Sequence, residues 1–223
     1  MKIPYDSILK YRYEMPNLYD LPTFSDKYRM VMTQVAKNMN VLDMGCGTGK
    51  IYTDVLIPEG FQGEYVGFDP DESLDVNFPL YHSIDEIVEK YGARHFDIVL
   101  YMNAAEHMTL EDFFNELEKI NKLVDGKIII MTPNPKCLDY LFGDPEHVTF
   151  YPHYWLYGIL KLFGFDKVDV LRGKGVYQER QKQAQANPQL REQIKAMNDW
   201  QVKTCQAMGL DWYGNLMAIG ERV

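Results

Sequence analysis

The sequence predicts an α/β fold built on a mostly parallel sheet that helices cover on both faces. Short apolar segments alternate with amphipathic segments between residues 40 and 171, and strands that alternate with helices form parallel sheets. The chain also has 223 residues, which is long enough to bury the core of such a domain. The predicted strands are 40–44, 65–68, 78–82, 96–101, 127–132, 167–171 and 213–220.

Apolar residues at helical spacing predict the helices that connect these strands. The clearest is 109–123, where an apolar residue recurs every three or four positions. Segment 178–208 is long and polar instead, so we interpret it as a helical insert before the last strand. The predicted helices are 7–14, 25–38, 48–56, 84–91, 109–123, 154–163 and 178–208.

We expect a single domain, because the chain contains no internal repeat and no linker rich in Gly, Ser or Pro. The polar insert either covers a substrate or forms a homodimer, and Trp200 and Trp212 are its candidate anchors. The parts of the domain are an N-terminal helical cap (1–39), an alternating α/β core (40–171), the helical insert (172–212) and the last strand (213–223).

Charge, cysteine content and hydropathy argue against several classes of protein. The formal net charge is −9, whereas nucleic-acid binding draws most of its affinity from Lys and Arg, so a nucleic acid is not an expected partner. Three scattered cysteines form no CxxC pair, which argues against a disulfide scaffold or a zinc knuckle. The first residues lack the apolar core expected of a signal peptide, and no apolar run reaches membrane-spanning length. We therefore expect a cytoplasmic protein.

A glycine-rich segment, Asp43-Met-Gly-Cys-Gly-Thr-Gly49, lies between a predicted strand and a predicted helix. Glycine lets the backbone turn tightly and approach a ligand, and a helix N-terminus offers N–H donors to an anion. The GxGxG spacing differs from the GxGxxG of dinucleotide-binding proteins and is one residue short of the P-loop. A plain tight turn would not need an acid two residues before three alternating glycines.

This segment resembles the first motif of class I S-adenosylmethionine (SAM)-dependent methyltransferases, and Asp69 ends the next strand as in that family. The resemblance implies a Rossmann-like, seven-stranded sheet with an antiparallel last strand. It also implies that the glycine loop holds the methionine part of SAM and that Asp43 positions the methionine end, usually through the amino group. Asp69 is then expected to bind both ribose hydroxyls, because a carboxylate offers two acceptor oxygens.

The sequence departs from the family near the adenine. The family usually has an Asp after the third strand, but this chain has Ser83 and Ile84 there. Adenine contacts are therefore expected from these two residues or from the backbone, while Met102 and Asn103 are expected near the cofactor after the fourth strand. The full set of expected SAM-binding residues is Asp43, Gly45, Cys46, Gly47, Gly49, Asp69, Ser83, Ile84, Met102 and Asn103.

Candidates for the chemistry follow the fourth strand and recur near residue 147. His107 is the first candidate for a group beside the reacting methyl, with Glu106 as its partner, or else it orients the neighbouring loop by hydrogen bonds. His147 either lines the substrate pocket or caps the next helix. These three residues also resemble part of the metal-ligand set of small-RNA 2′-O-methyltransferases. Asn103 replaces a further Glu of that set, so we expect no metal.

The implied function is methyl transfer from SAM, which becomes S-adenosylhomocysteine, to a small molecule such as a metabolite, sugar or lipid-linked intermediate. The sulfonium methyl is already activated, so the protein acts mainly by positioning the acceptor and excluding water. Three alternatives remain open. They are an RNA 2′-O-methyltransferase with a metal at Glu106, His107 and His147, a SAM-binding protein without catalysis, and a dinucleotide-dependent oxidoreductase.

Overall fold

Eight strands among the described residues form one mixed sheet in the computed structural model. The structure describes residues 3–12, 19–20, 31, 33–136, 144–173 and 215–223, together with isolated positions between 187 and 208. The strands are β1 (Tyr19–Asp20), β2 (Val41–Met44), β3 (Tyr65–Phe68), β4 (Leu80–Tyr81), β5 (Phe96–Met102), β6 (Val124–Pro133), β7 (Lys167–Gly173) and β8 (Asn215–Glu221).

The order of strands across the sheet is β1-β7-β8-β6-β5-β2-β3-β4. Strands β2 to β6 pair with one another in parallel, whereas β8 is antiparallel to both of its neighbours, β6 and β7. From β2 the chain proceeds outward through β3 and β4 and then returns to β5 on the other side. In sheets of this kind, ligands bind beyond the carboxyl ends of the strands where the order reverses. That position lies between β2 and β5.

All seven predicted strands are present as β2 to β8, including the antiparallel last strand. The additional strand, β1, pairs in parallel with β7 at the edge of the sheet. It has two residues, and so short a strand gives no alternation of apolar and polar residues that a sequence pattern could reveal.

Helices precede, connect and flank these strands. Thr109 caps the helix Leu110–Leu123, because its hydroxyl accepts a hydrogen bond from the backbone N–H of Asp112 at 3.1 Å. Among the described residues, no helix is long and apolar enough to cross a membrane. The helices are α1 (Tyr5–Lys10), a π-type helix (Tyr52–Leu56), α2 (Ile84–Tyr91), a 3₁₀ turn (Ala105–His107), α3 (Leu110–Leu123) and α4 (His153–Leu162).

Two helix predictions differ from the structure, and a third lies mostly outside the described residues. The predicted helix 48–56 becomes helical only from Lys50, because the glycines before it adopt positive φ angles that belong to a turn. Within predicted helix 25–38, residue 31 is helical but 33–38 are not. Most of the predicted insert helix 178–208, and with it the proposed dimer surface, lies outside the described residues.

Strand β5 shows how the sheet buries both of its faces. Ile98 and Leu100 belong to one apolar cluster, while Val99 and Tyr101 belong to a second cluster on the opposite face. All four are fully buried, and burying one such side chain contributes about 1.5–3 kcal/mol to stability. Helices α2, α3 and α4 cover the second face. This packing holds the carboxyl ends of β2 and β5 in fixed positions.

Candidate functional site

The glycine loop after β2 adopts a backbone that other residues rarely adopt. Gly45, Gly47 and Gly49 have φ angles of 69°, 52° and 73°, in the left-handed region that favours glycine. At Gly45 space is also limiting, since a Cβ there would lie 2.5 Å from the Cβ of Ala104. The backbone of the loop at Gly45 therefore packs directly against Ala104, just after the end of β5, with no side chain between them.

Hydrogen bonds to the next strand fix this loop. The backbone N–H groups of Gly45 and Cys46 donate to the carbonyl of Phe68 at 2.8 and 3.0 Å. The N–H of Gly47 donates to Oδ2 of Asp69 at 2.9 Å, and the N–H of Asp71 donates to Oδ1 of the same carboxylate at 3.0 Å. Each carboxylate oxygen has two lone pairs, so Asp69 is oriented by the backbone and can still accept bonds from a ligand.

Asp43 lies behind the loop in a different environment. It is 1% exposed, and the hydroxyl of Tyr65 donates to its Oδ2 at 2.5 Å. Its Oδ1 makes no hydrogen bond to any described residue. Burial raises the pKa of Asp43 to about 7, although the bond from Tyr65 acts in the opposite direction. A cationic group placed at Oδ1 would stabilise the carboxylate form.

Two cavities adjoin the loop at the end of the sheet. The larger has a volume of about 590 Å³, and the smaller has a volume of about 230 Å³. Gly45 lines both. The larger cavity is also lined by Asp69, Pro70, Asn103, His107, Glu116 and Glu146, among others. The smaller is also lined by Asp43, Cys46, Gly47, Thr48, Lys50 and Met102, among others.

Most of the predicted cofactor residues therefore converge on these cavities, but three do not line either of them. A Cβ at Gly49 would lie 2.2 Å from the ring of Phe78, so there is no room for a side chain at this position. Ser83 is the N-cap of α2, and Ile84 is its first residue. Cys46 lies at the site without being reactive, because burial and the nearby carboxylates raise the pKa of its thiol to about 12.

The end of β5 positions the candidate chemical groups. Asn103 has a φ of 62°, unusual for a residue other than glycine, and its N–H donates to the carbonyl of Met131 at 2.9 Å. The amide Nδ2 of Asn103 donates to Oε1 of Glu106 at 3.0 Å. Glu106 is 1% exposed, and burial raises its pKa. The 3₁₀ turn that follows carries Glu106 inward and leaves His107 exposed.

A distant segment brings His147 to this turn. The N–H groups of Val148 and Thr149 both donate to the carbonyl of Glu106, at 2.9 and 3.1 Å. As a result the rings of His107 and His147 lie 5.0 Å apart between centroids, in an edge-to-face arrangement. One ligating atom from each of Glu106, His107 and His147 lies within 4.8 Å of the others. The three predicted catalytic residues thus form one cluster, which could hold a metal ion.

Sequence interpretation missed two acids of the larger cavity, Glu116 and Glu146. Glu116 lines the cavity beside Tyr101, and burial raises its pKa to about 7. It lies on α3 three residues after Phe113 and four before Ile120, so it shares the apolar side of that helix. An acid on the apolar face of a helix is itself a sequence signal of function, because burying a carboxylate without a role costs free energy.

Residues 19–170 match the model of a protein family described as "Methyltransferase domain". This range is more than half of the chain and contains the glycine loop, Asp69 and the cluster of Glu106, His107 and His147. A comparison with curated proteins by sequence gives no significant match.

Solved structures of methyltransferases share this fold. A SAM-dependent methyltransferase from Archaeoglobus fulgidus is 20% identical and aligns over 88% of this chain and 91% of its own, with a TM-score of 0.62. Another from Mesorhizobium loti is 14% identical over 88% and 97%, with a TM-score of 0.54. A 1,6-didemethyltoxoflavin-N1-methyltransferase from Burkholderia thailandensis, solved with its acceptor and S-adenosylhomocysteine, is 15% identical over 88% and 76%, with a TM-score of 0.54. At these identities the likeness concerns the fold.

Proposed function

We propose that this chain, a member of the methyltransferase-domain family, is a class I SAM-dependent methyltransferase whose acceptor is a small molecule bound in the larger cavity beside the ribose of SAM. The observation that carries this proposal is the placement of Asp69. Its carboxylate lies beside the glycine loop, is oriented by two backbone N–H groups and lines a cavity of about 590 Å³. Cavities of this volume are in the range that accommodates small molecules.

In the proposed complex, Asp69 accepts hydrogen bonds from the two ribose hydroxyls of SAM. The loop from Gly45 to Gly49 holds the methionine part, and Asp43 faces the ammonium group with its unpartnered Oδ1. Met102 and Asn103 border the sulfonium, while Ser83 and Ile84 approach the adenine. Cys46 contacts the cofactor through its backbone and its uncharged side chain, because its thiol is protonated at neutral pH.

The proposed reaction is an in-line displacement at the sulfonium methyl. The bond from sulfur to the methyl carbon breaks as the acceptor's nucleophilic atom forms its own bond to that carbon. The sulfur keeps the electron pair, and the acceptor loses a proton. The protein mainly aligns the two reactants and excludes water. His107 borders the methyl in this proposal, and Glu106 and His147 hold the surrounding groups in place.

The charge of the larger cavity supports a small acceptor rather than a nucleic acid. Asp69, Glu116 and Glu146 line it, and no Lys or Arg is among the described residues that do. The chain as a whole carries a formal charge of −9. Binding to RNA depends on cations that neutralise phosphates, so an acidic cavity in an acidic chain opposes it. Neutral or cationic acceptors fit this charge better.

Thermal unfolding with SAM, S-adenosylhomocysteine, NAD and ATP tests the cofactor site. A ligand of the folded state adds about 2.7 kcal/mol of stability at a hundredfold excess over its Kd. We expect SAM and its product to stabilise the wild type and to have little effect on Asp69→Asn, which loses the charge and one acceptor oxygen. Asp71→Asn is the matched control, because Asp71 is an exposed carboxylate in the same loop and should leave the response unchanged.

A methyl-transfer assay with labelled SAM tests the acceptor. We expect label in small neutral or amine-containing molecules and none in RNA of mixed sequence. Label in RNA would overturn the small-molecule proposal while leaving the cofactor site intact. Stabilisation by NAD or ATP alone would overturn the proposed cofactor site itself.

A further inference from the structure

The cluster of Glu106, His107 and His147 has the chemistry of a metal site with open positions. We propose that it binds one divalent first-row transition-metal ion, such as Zn²⁺, Mn²⁺ or Co²⁺, at the wall of the larger cavity. This proposal differs from the expectation of no metal that was drawn from the sequence. The proposal rests on the geometry of the ligating atoms, on two buried atoms without partners, and on the groups that orient the ligands.

The ligating atoms are close enough to share an ion. One atom from each residue lies within 4.8 Å of the other two. Bonds from a transition metal to nitrogen or oxygen are about 2.0–2.2 Å long, which places ligand atoms on one ion about 3–4 Å apart. Small side-chain rotations therefore suffice to close the site. The backbone is already fixed, because Val148 and Thr149 both donate to the carbonyl of Glu106.

Two atoms of the cluster are buried without a hydrogen bond. These are Oε2 of Glu106 and Nδ1 of His147, and neither has a partner among the described residues. Glu106 is 1% exposed, and the His147 side chain is 10% exposed. Leaving such groups unpaired costs free energy. A cation between them would satisfy both, since a carboxylate oxygen and an imidazole nitrogen are each metal ligands.

Neighbouring groups orient the ligands from outside. Asn103 donates to Oε1 of Glu106 at 3.0 Å, which directs the carboxylate and leaves Oε2 available. Oδ2 of Asp144 lies 3.8 Å from Nε2 of His147, within range of an ion pair. An imidazole that faces a carboxylate with one nitrogen and a metal with the other is a recurrent arrangement in metal sites.

The donor set favours transition metals over Mg²⁺ or Ca²⁺. Two imidazoles and one carboxylate suit Zn²⁺, Mn²⁺, Fe²⁺ or Co²⁺, whereas Mg²⁺ and Ca²⁺ prefer oxygen ligands throughout. Three protein ligands also leave coordination positions open, as in catalytic rather than structural sites. His107 lines the larger cavity, so an acceptor bound there can reach the open positions. This last step rests on the proposed function. The open positions favour acceptors that carry a hydroxyl or amine near the methylated atom.

Metal titration tests the site without depending on activity. The chain is stripped with EDTA, dialysed and titrated with Co²⁺, followed by visible absorption, and with Mn²⁺, followed by electron paramagnetic resonance. We expect one ion per chain in the wild type, and association at least about tenfold weaker in His107→Gln and His147→Gln. His107 is exposed, so its variant should fold even if His147→Gln does not. The control is His95→Gln, a histidine that pairs with Glu64 away from the cluster.

Two results would overturn this inference. One is a wild type that binds no stoichiometric Co²⁺ or Mn²⁺. The other is a His107→Gln variant that binds these ions as tightly as the wild type and His95→Gln do. Thermal unfolding with SAM in the same samples separates this failure from a failure of the proposed function, since Asp69 and the glycine loop do not require the ion.

Discussion

The two ends of the site are built in different ways. At the cofactor end, Asp69 accepts two backbone hydrogen bonds, and Gly45 and Cys46 both donate to Phe68. At the cluster end, Glu106 and His147 each keep a buried atom without a partner among the described residues. The first end is already organised before any ligand arrives. The second end is held in place by its backbone, but its two buried polar atoms gain a partner only when a ligand binds.

The largest expected effect comes from filling the close approach at the organised end. Gly45→Ala combines a positive φ with a Cβ 2.5 Å from that of Ala104, so we expect it to destabilise the chain by about 3 kcal/mol. Gly47→Ala is the matched control, since it has a positive φ but no atom within 4 Å of the added Cβ. We expect about 1 kcal/mol there. Urea unfolding measures both, and equal losses would show that the contact with Ala104 is unimportant.

A comparable effect is expected from Asp43, the buried acid of the organised end. Burial raises its pKa in the folded chain from 3.8 to about 7. The unfolded state therefore loses its proton first as pH rises, and the stability that this group contributes falls between pH 4 and 7. We expect the wild type to lose about 3 kcal/mol over this range relative to Asp43→Asn. Urea unfolding across pH 4 to 8 measures the difference, and parallel pH profiles would contradict it.

The smallest effect on stability is expected from a substitution of Glu106, at the cluster end. Glu106→Gln removes a buried negative charge and retains the acceptor for Asn103. In EDTA at pH 8 we expect stability to change by no more than about 1 kcal/mol, with a gain more favoured than a loss. The same substitution should abolish the stabilisation by Co²⁺. A large loss of stability without metal would mean that Glu106 mainly supports the fold.

The same contrast explains what could be predicted from sequence. The cofactor end is nearly contiguous, because the glycine loop directly follows β2 and Asp69 directly follows β3. Its resemblance to the family's motifs was therefore visible in the sequence. The cluster joins His107 to His147 across 40 residues, and their distance depends on bonds from Val148 and Thr149 to Glu106. The residues, and by resemblance their grouping, were identifiable in advance, but the hydrogen bonds that bring them together and their unpaired atoms were not.

Other misses have local causes. Strand β1 has two residues, which is too short for a periodic pattern. The helix after the glycine loop begins late, since positive φ angles at Gly47 and Gly49 delay it. Glu116 was overlooked because helical spacing was used to find apolar residues and not the acid among them. The strands of the core were predicted well, since burial of both faces gives long apolar runs.

A structure of the chain with bound S-adenosylhomocysteine tests the central assignment most directly. We predict both ribose hydroxyl oxygens within hydrogen-bond distance of the Asp69 carboxylate, the amino group beside Asp43, and the sulfur directed at the larger cavity. A nucleoside held by other residues, with Asp69 free of the ribose, would contradict the account of the cofactor end.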